Sequence, residues 1–241
     1  MCVAALAWRA HPRWRLVVIA NRDEFHARPA APLGRWNDSG IIAGRDLEAG
    51  GTWLGVSEAG RFALVTNFRV PGYPKPSMAS RGGLVTDWLL DAPRPDTDRM
   101  NPFHLLGIDP DGARHLTNAP APAESALAPG IHGVSNGVFD RPWAKTRRLS
   151  ETLGLWLDSD DDDTGALFAA LADETPLPPE PDSEGPDLPF SPVFIRDPAY
   201  GTRCSTVVTI DNAGNGRIAE RRFDPDGEPS GESRIAFRWP A

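Results

Sequence analysis

Val17-Val18-Ile19-Ala20-Asn21-Arg22-Asp23-Glu24-Phe25 decides how this chain is read. Its first four residues are apolar and three are β-branched, as in a buried strand. Four polar residues follow at once, the pattern of an ordinary strand exit with its charges in water. Upstream, Cys2 to Trp8 is a second apolar run, and His11-Pro12 marks a turn before Leu16 to Ala20. The two runs read as a buried antiparallel pair.

Cys2 stands directly behind the initiator Met1. Methionine aminopeptidases generally accept a small second residue, so processing would leave Cys2 first in the chain. Such a residue carries a nucleophile and a base together. The thiol attacks, and the free α-amine accepts the proton. An α-amine titrates near pH ~7.7–8.0 and a lysine amine near ~10.4, so a useful fraction of the former is neutral at pH 7. Position alone also fits a small residue opening a strand.

Further along, Thr52–Val56 and Arg61–Asn67 flank Ser57-Glu58-Ala59-Gly60, a hairpin signal. Ser80 reads as the N-cap of a helix running to Leu90. Phe103–Ile108 and Ala113–Thr117 are strands around the turn Asp109-Pro110-Asp111-Gly112. Ile131–Asn136 is a short strand entering a loop. Pro142 opens a helix to about Asp158, with Leu149, Leu153 and Trp156 on one face. Asp160–Asp163 cap a helix over Ala166–Leu171, favoured there by the helix dipole. Strands resume at Val193–Ile195, Cys204–Asp211, Arg217–Phe223 and Arg234–Trp239. Strands and helices do not alternate regularly, which argues against a doubly wound parallel sheet. The expected class is α+β, with two antiparallel sheets and helices outside. One domain is expected over residues 1–241, with an exposed Pro-rich loop over 175–192.

A net charge of −8 lacks the basic footprint of nucleic-acid binding. Two cysteines are too few for a secreted disulfide scaffold. The first apolar run is broken by Arg9, His11, Arg13 and Arg15, which fits neither a signal peptide nor a membrane span. A cytoplasmic location with reduced thiols is expected. The five histidines show no zinc spacing, and no phosphate loop or dinucleotide fingerprint is present. No metal and no required cofactor are expected. Cys204 opens an apolar strand and reads as structural.

Asn21-Arg22-Asp23-Glu24 is the motif that names the NRDE proteins, also called the transport-and-Golgi-organization family, and the chain resembles that family in more than this tetrapeptide. Cys2, His26-Ala27-Arg28-Pro29, Gly51-Thr52-Trp53-Leu54-Gly55 and Thr66-Asn67-Phe68-Arg69 are similar to it. So are Ser80-Arg81-Gly82, Val134-Ser135-Asn136-Gly137 and Gly201-Thr202-Arg203. Together they span most of the chain. The resemblance implies the four-layer αββα sandwich of the N-terminal-nucleophile hydrolases, with choloylglycine hydrolases and penicillin V acylases as the mechanistic comparison.

By that resemblance Cys2 is the nucleophile, Asp23 orients its amine, Asn136 or Asn67 donates to the oxyanion, and Arg203 holds positive charge near the thiolate. Asn21, Arg22, Asn67, His26 and Trp53 would line the substrate site. One position departs from the acylases: Ala20 stands where they carry an Arg three residues before the Asp. Alternation along a strand sets Arg22 on the face opposite Asp23, which predicts that it points away from Cys2. Two functions follow. One is a cysteine hydrolase that cleaves an amide or thioester of a small molecule through an acyl-enzyme on Cys2. The other is a non-catalytic carrier of haem or of an acyl-CoA or lipid cargo, as the family's links to haem trafficking and lipid homeostasis imply.

Overall fold

The computed structural model describes residues 2–37, 39–93, 95–139, 141–159, 162–178 and 188–240. Residues 179–187 of the expected Pro-rich loop, and Asp160 and Asp161 of the acidic run, lie outside them. The chain forms two compact units. The first joins Met1–Ala27 to Pro129–Ala236; the second holds Arg28–Ala128 and the last five residues.

The first unit is built on a six-stranded antiparallel sheet. Its strands are β1 (Val3–Trp8), β2 (Trp14–Phe25), β10 (Gly130–Val134), β11 (Tyr200–Asp211), β12 (Asn215–Phe223) and β13 (Pro229–Arg238), in the spatial order β10-β1-β2-β11-β12-β13. All six residues of β1 are buried, so both faces of that strand are dry. Helices α2 (Ala144–Leu157) and α3 (Gly165–Leu171) cover one face. Leu149, Leu153, Trp156, Leu167, Phe168 and Leu171 pack there on Val3, Ala5, Ala7, Val17, Ile19 and Val207. The approach is close: a Cβ on Gly133 of β10 would lie 2.5 Å from Thr146 Cγ2 and 2.6 Å from Ser150 Oγ.

The second unit is a seven-stranded antiparallel sheet in sequence order. It runs β3 (Ala30–Arg35), β4 (Ile41–Asp46), β5 (Leu54–Ser57), β6 (Arg61–Asn67), β7 (Phe103–Asp109), β8 (Gly112–Thr117) and β9 (Ala123–Leu127). Helix α1 (Gly82–Leu89) lays Leu84, Val85, Trp88 and Leu89 on Ile41, Ala43, Ala63, Phe103 and Leu105. Gly107 is bare where Trp88 crosses it, since a Cβ there would sit 2.3 Å from the indole.

Two antiparallel sheets with few helices bear out the α+β class. Several details differ from expectation. β2 does not end at Ala20 but continues to Phe25, with Asn21, Arg22 and Asp23 buried inside it. The reason is β11, which pairs with β2 from Trp14 to Phe25 and satisfies its main chain. Val193–Ile195 is buried but is not a strand. Arg81, without a side-chain cap, precedes α1, while Ser80 Oγ accepts from Gly82 N at 3.3 Å. Strands β3 and β9 carry few buried residues and gave no alternating signal.

Candidate active site

The site forms where β1, β2 and β10 end together. β1 pairs with β10 with Ala4 opposite Val134, and with β2 with Val3 opposite Asn21. Carried out to residue 2, these registers set Cys2 across from Asn136 on one side and from Arg22 on the other. β2 pairs onward with β11, Arg22 opposite Cys204. Opposed residues of an antiparallel sheet share a face. Cys2, Arg22 and Cys204 therefore fall in one cross-strand row, with Asn136 in the loop that follows β10 at the same end. Arg22 does lie on the face opposite Asp23, as alternation requires. It does not point away from Cys2, because Cys2 shares Arg22's face and not that of Asp23.

Cys2 is half-buried, and its Sγ lies 3.9 Å from the main-chain oxygen of Asp23. That oxygen also accepts from the Tyr200 hydroxyl at 2.8 Å. Burial pushes the Cys2 thiol above its ordinary pKa, and the positive terminal charge of the unprocessed chain pulls it back. Asp23 adds to the rise, and Arg22 opposes it. Arg22 is itself buried, at 6% exposure.

Asp23 is 3% exposed, and its Oδ1 accepts from Thr202 Oγ1 at 2.7 Å. Thr202 sits opposite it across β2 and β11. Burial raises the Asp23 pKa, opposed by the chain terminus, by Lys145 and by the Thr202 hydrogen bond, while Glu24 adds to the rise. Asn136 is buried in the loop just after β10. A Cβ on the next residue, Gly137, would meet Trp143 Nε1 at 2.3 Å, so this loop is packed tightly against the start of α2.

The other expected residues divide. Arg203 is the extra residue of a bulge, since β11 shifts register between Thr202 and Cys204. Its Nη1 donates to the main-chain oxygens of Phe25 at 3.0 Å and His26 at 3.1 Å. It thus clamps the chain leaving β2, and the guanidinium that opposes the rise of the Cys2 thiol is that of Arg22. Asn21 is tied into the framework: its Nδ2 donates to Leu171 O at 2.8 Å and Val193 O at 3.0 Å, and its Oδ1 accepts from Ser205 at 2.6 Å. His26 is bonded through Nε2 to Asp197 O at 2.9 Å. Asn67 ends β6 exposed, and Trp53 precedes β5 half-buried; both belong to the second unit.

Sequence reasoning missed Lys145, in the first turn of α2. It is 1% exposed, and its ammonium donates to Phe190 O at 3.2 Å. Burial lowers its pKa, opposed by Asp23 and then by Cys2. The signal was present: Lys145 lies four residues before Leu149, on the same stripe as Leu153 and Trp156.

Beside this centre is an aromatic group. Phe25 meets Tyr200 edge to face at 5.1 Å, and Phe190 meets Tyr200 at 6.0 Å. Phe25 and Leu188 are largely exposed. Among the described residues no group of three or more His, Cys, Asp or Glu is arranged to hold a metal ion. No helix among them is long and apolar enough to cross a membrane.

The fold has a counterpart among solved structures. Over the whole chain it matches a variant of conjugated bile acid hydrolase from Clostridium perfringens with a TM-score of 0.50, at 12% identity and covering 97% of that protein. The chain belongs to the Transport and Golgi organisation 2 family, whose model matches residues 1–225. It is 30% identical to the Transport and Golgi organization protein 2 homolog of Homo sapiens, over 92% of each chain. It is 25% identical to Transport and Golgi organization protein 2 of Drosophila melanogaster, over 95% of each.

Proposed function

We propose that the protein is a cysteine hydrolase that cleaves an amide or thioester through an acyl-enzyme on Cys2, once Met1 has been removed. The observation that carries this reading is the convergence of Cys2, Arg22, Asn136 and Asp23 on one end of one sheet. The Cys2 sulfur attacks the acyl carbonyl, and the thiol proton passes to the α-amine. The carbonyl oxygen, now negative, takes a hydrogen bond from the Asn136 amide; losing such a donor typically costs about 10²–10³ in rate. The amine returns its proton to the departing nitrogen or sulfur as the bond to the acyl carbon breaks. Water then enters by the same steps in reverse order, releasing the acid and the free thiol. Asp23, on the face opposite the sulfur, is suited to hold the α-amine. Arg22 lowers the cost of the thiolate.

The aromatic group of exposed Phe25 with half-buried Tyr200 and Phe190 supports a second reading, in which the same end of the sheet carries an acyl chain or haem without chemistry. For haem, His26 fits poorly as an axial ligand, because its Nε2 is already bonded to Asp197 O. Cys2 is the remaining candidate.

Intact-mass spectrometry after incubation with an activated acyl thioester tests the hydrolase. The processed protein should gain one acyl group and lose it with time, and Cys2→Ala should gain none. Labelling that survives Cys2→Ala removes the reading. A stoichiometric spectral change with haem, abolished in Cys2→Ala, together with no acylation, would favour the carrier.

A further inference from the structure

Lys145 is a buried lysine that the hydrolytic steps above do not use. Its side chain is among the largest that are fully buried, yet the acceptor recorded for its ammonium is a main-chain carbonyl, Phe190 O at 3.2 Å. A carbonyl is a dipole and supplies no countercharge. Burying an ammonium is costly unless an anion stands near. Lys145 continues the stripe of Leu149, Leu153 and Trp156, which packs on the sheet face of Val3, Val17 and Ile19, and alternation along β2 sets Asp23 on that same face. The charges that act on Lys145 are Asp23 first and Cys2 second. Asp23 in turn feels the terminal charge of the unprocessed chain, Lys145 and Glu24, and Thr202 gives it a neutral hydrogen bond. The neighbouring cation on α2, Arg148, is turned to Asp173, with Nε 2.9 Å from its carboxylate. The bare Cα of Gly133 lets α2 settle onto β10, and this brings the first turn of the helix down to the end of the sheet.

We propose that Lys145 is a positioning residue of this centre: its buried ammonium keeps the Asp23 side chain charged whatever the state of the α-amine. The inference rests on the reading of Asp23 as the group that holds that amine. The need for a second cation comes from the chemistry. An amine that serves as base must be neutral for part of each cycle. While it is neutral, a carboxyl buried as deeply as Asp23 would take up a proton if the amine were its one counter-ion. It would then donate where it must accept, and the amine would lose its orientation. A fixed lysine on the same face removes that failure.

Carboxyl-labelled aspartate and NMR test this directly, with the Asp23 signal assigned by its loss in Asp23→Asn. Replacing Lys145 by Met should raise the Asp23 titration midpoint by about one pH unit or more. Lys145→Arg, which keeps the charge, should restore a midpoint close to that of the unaltered protein; a purely structural lysine would show no such pattern. The reciprocal measurement uses lysine labelled at Cε. Asp23→Asn should lower the Lys145 midpoint by a comparable amount, because coupling between two sites is mutual. An unmoved Asp23 midpoint in folded Lys145→Met overturns the proposal. If that variant does not fold, an unmoved Lys145 midpoint in Asp23→Asn overturns it. Neither readout needs turnover. Coupled titrations without acylation would remove the hydrolase alone, and acylation with uncoupled titrations would remove the role of Lys145 alone.

Discussion

The Thr202 hydroxyl donates to Asp23 Oδ1 at 2.7 Å while accepting the main-chain N–H of Ile195 at 2.9 Å. One oxygen therefore fixes a buried carboxylate and ends an irregular segment at the same time. The N–H of Ile195 dictates which way the hydroxyl hydrogen points, so the bond to Asp23 has a set direction. Thr202→Val keeps the shape and removes both bonds. It should destabilise the protein by about 1–3 kcal/mol in urea unfolding and raise the Asp23 pKa further.

The raised Asp23 pKa has a pH signature. A carboxyl whose folded pKa lies above its unfolded value contributes stability that is complete below the unfolded value. That contribution is lost as pH rises through the folded value. Asp23→Asn removes this loss. The melting temperature of the variant minus that of the unaltered protein should therefore increase from pH 4 to pH 7. A difference that is flat or falls with pH would contradict the burial of an ionising Asp23.

Arg22 in the Cys2 row should govern thiol reactivity. Arg22→Met should slow alkylation of Cys2 by iodoacetamide at pH 7 by about 3–10-fold, since one pKa unit is a tenfold change in thiolate. Arg203→Met should change that rate less, because its guanidinium is spent on two carbonyls of the chain leaving β2. The reverse order would return the thiolate-stabilising role to Arg203.

The two cysteines should behave as separate thiols. β2 lies between them, and two strand spacings come to about 9.6 Å, beyond the reach of a disulfide. Cys204 is 3% exposed, and burial holds its pKa well above the ordinary value. A native protein should take up one equivalent of a thiol reagent, at Cys2, and a second on unfolding. Rapid labelling of both would contradict the buried setting of Cys204.

Asn21 ties β2 to α3 through Leu171 O and to the segment at Val193. Asn21→Ala strands both carbonyls and the Ser205 hydroxyl. The expected cost is about 2–4 kcal/mol by urea unfolding, with the Cys2 alkylation rate a check on whether the sheet end itself is disturbed.

Much of this was legible in the chain before its fold was known. The β1–β2 pair and the apolar stripe of α2 follow from local patterning, and Cys2 announces itself by position. What was not legible depends on distant partners. Asn21, Arg22 and Asp23 look solvated until β11, some 180 residues later, lies beside them. Arg203 matched its motif, yet a bulge one residue long turned it onto Phe25 and His26. Lys145 was hidden by its charge, because a lysine beside Arg147 and Arg148 reads as part of a wet helix face.

The pairing of β2 with β11 also sets a timetable for synthesis. The first twenty-five residues leave the ribosome long before Tyr200–Asp211 exists to close the second edge of β2. At about 5–20 residues per second, the interval is on the order of 10–40 s. Throughout it the nascent amino terminus has no finished sheet to retreat into, and an aminopeptidase has its opportunity. The trimming of Met1 that the proposed chemistry requires would fall in that window, and the long sequence gap between the two strands is what keeps it open.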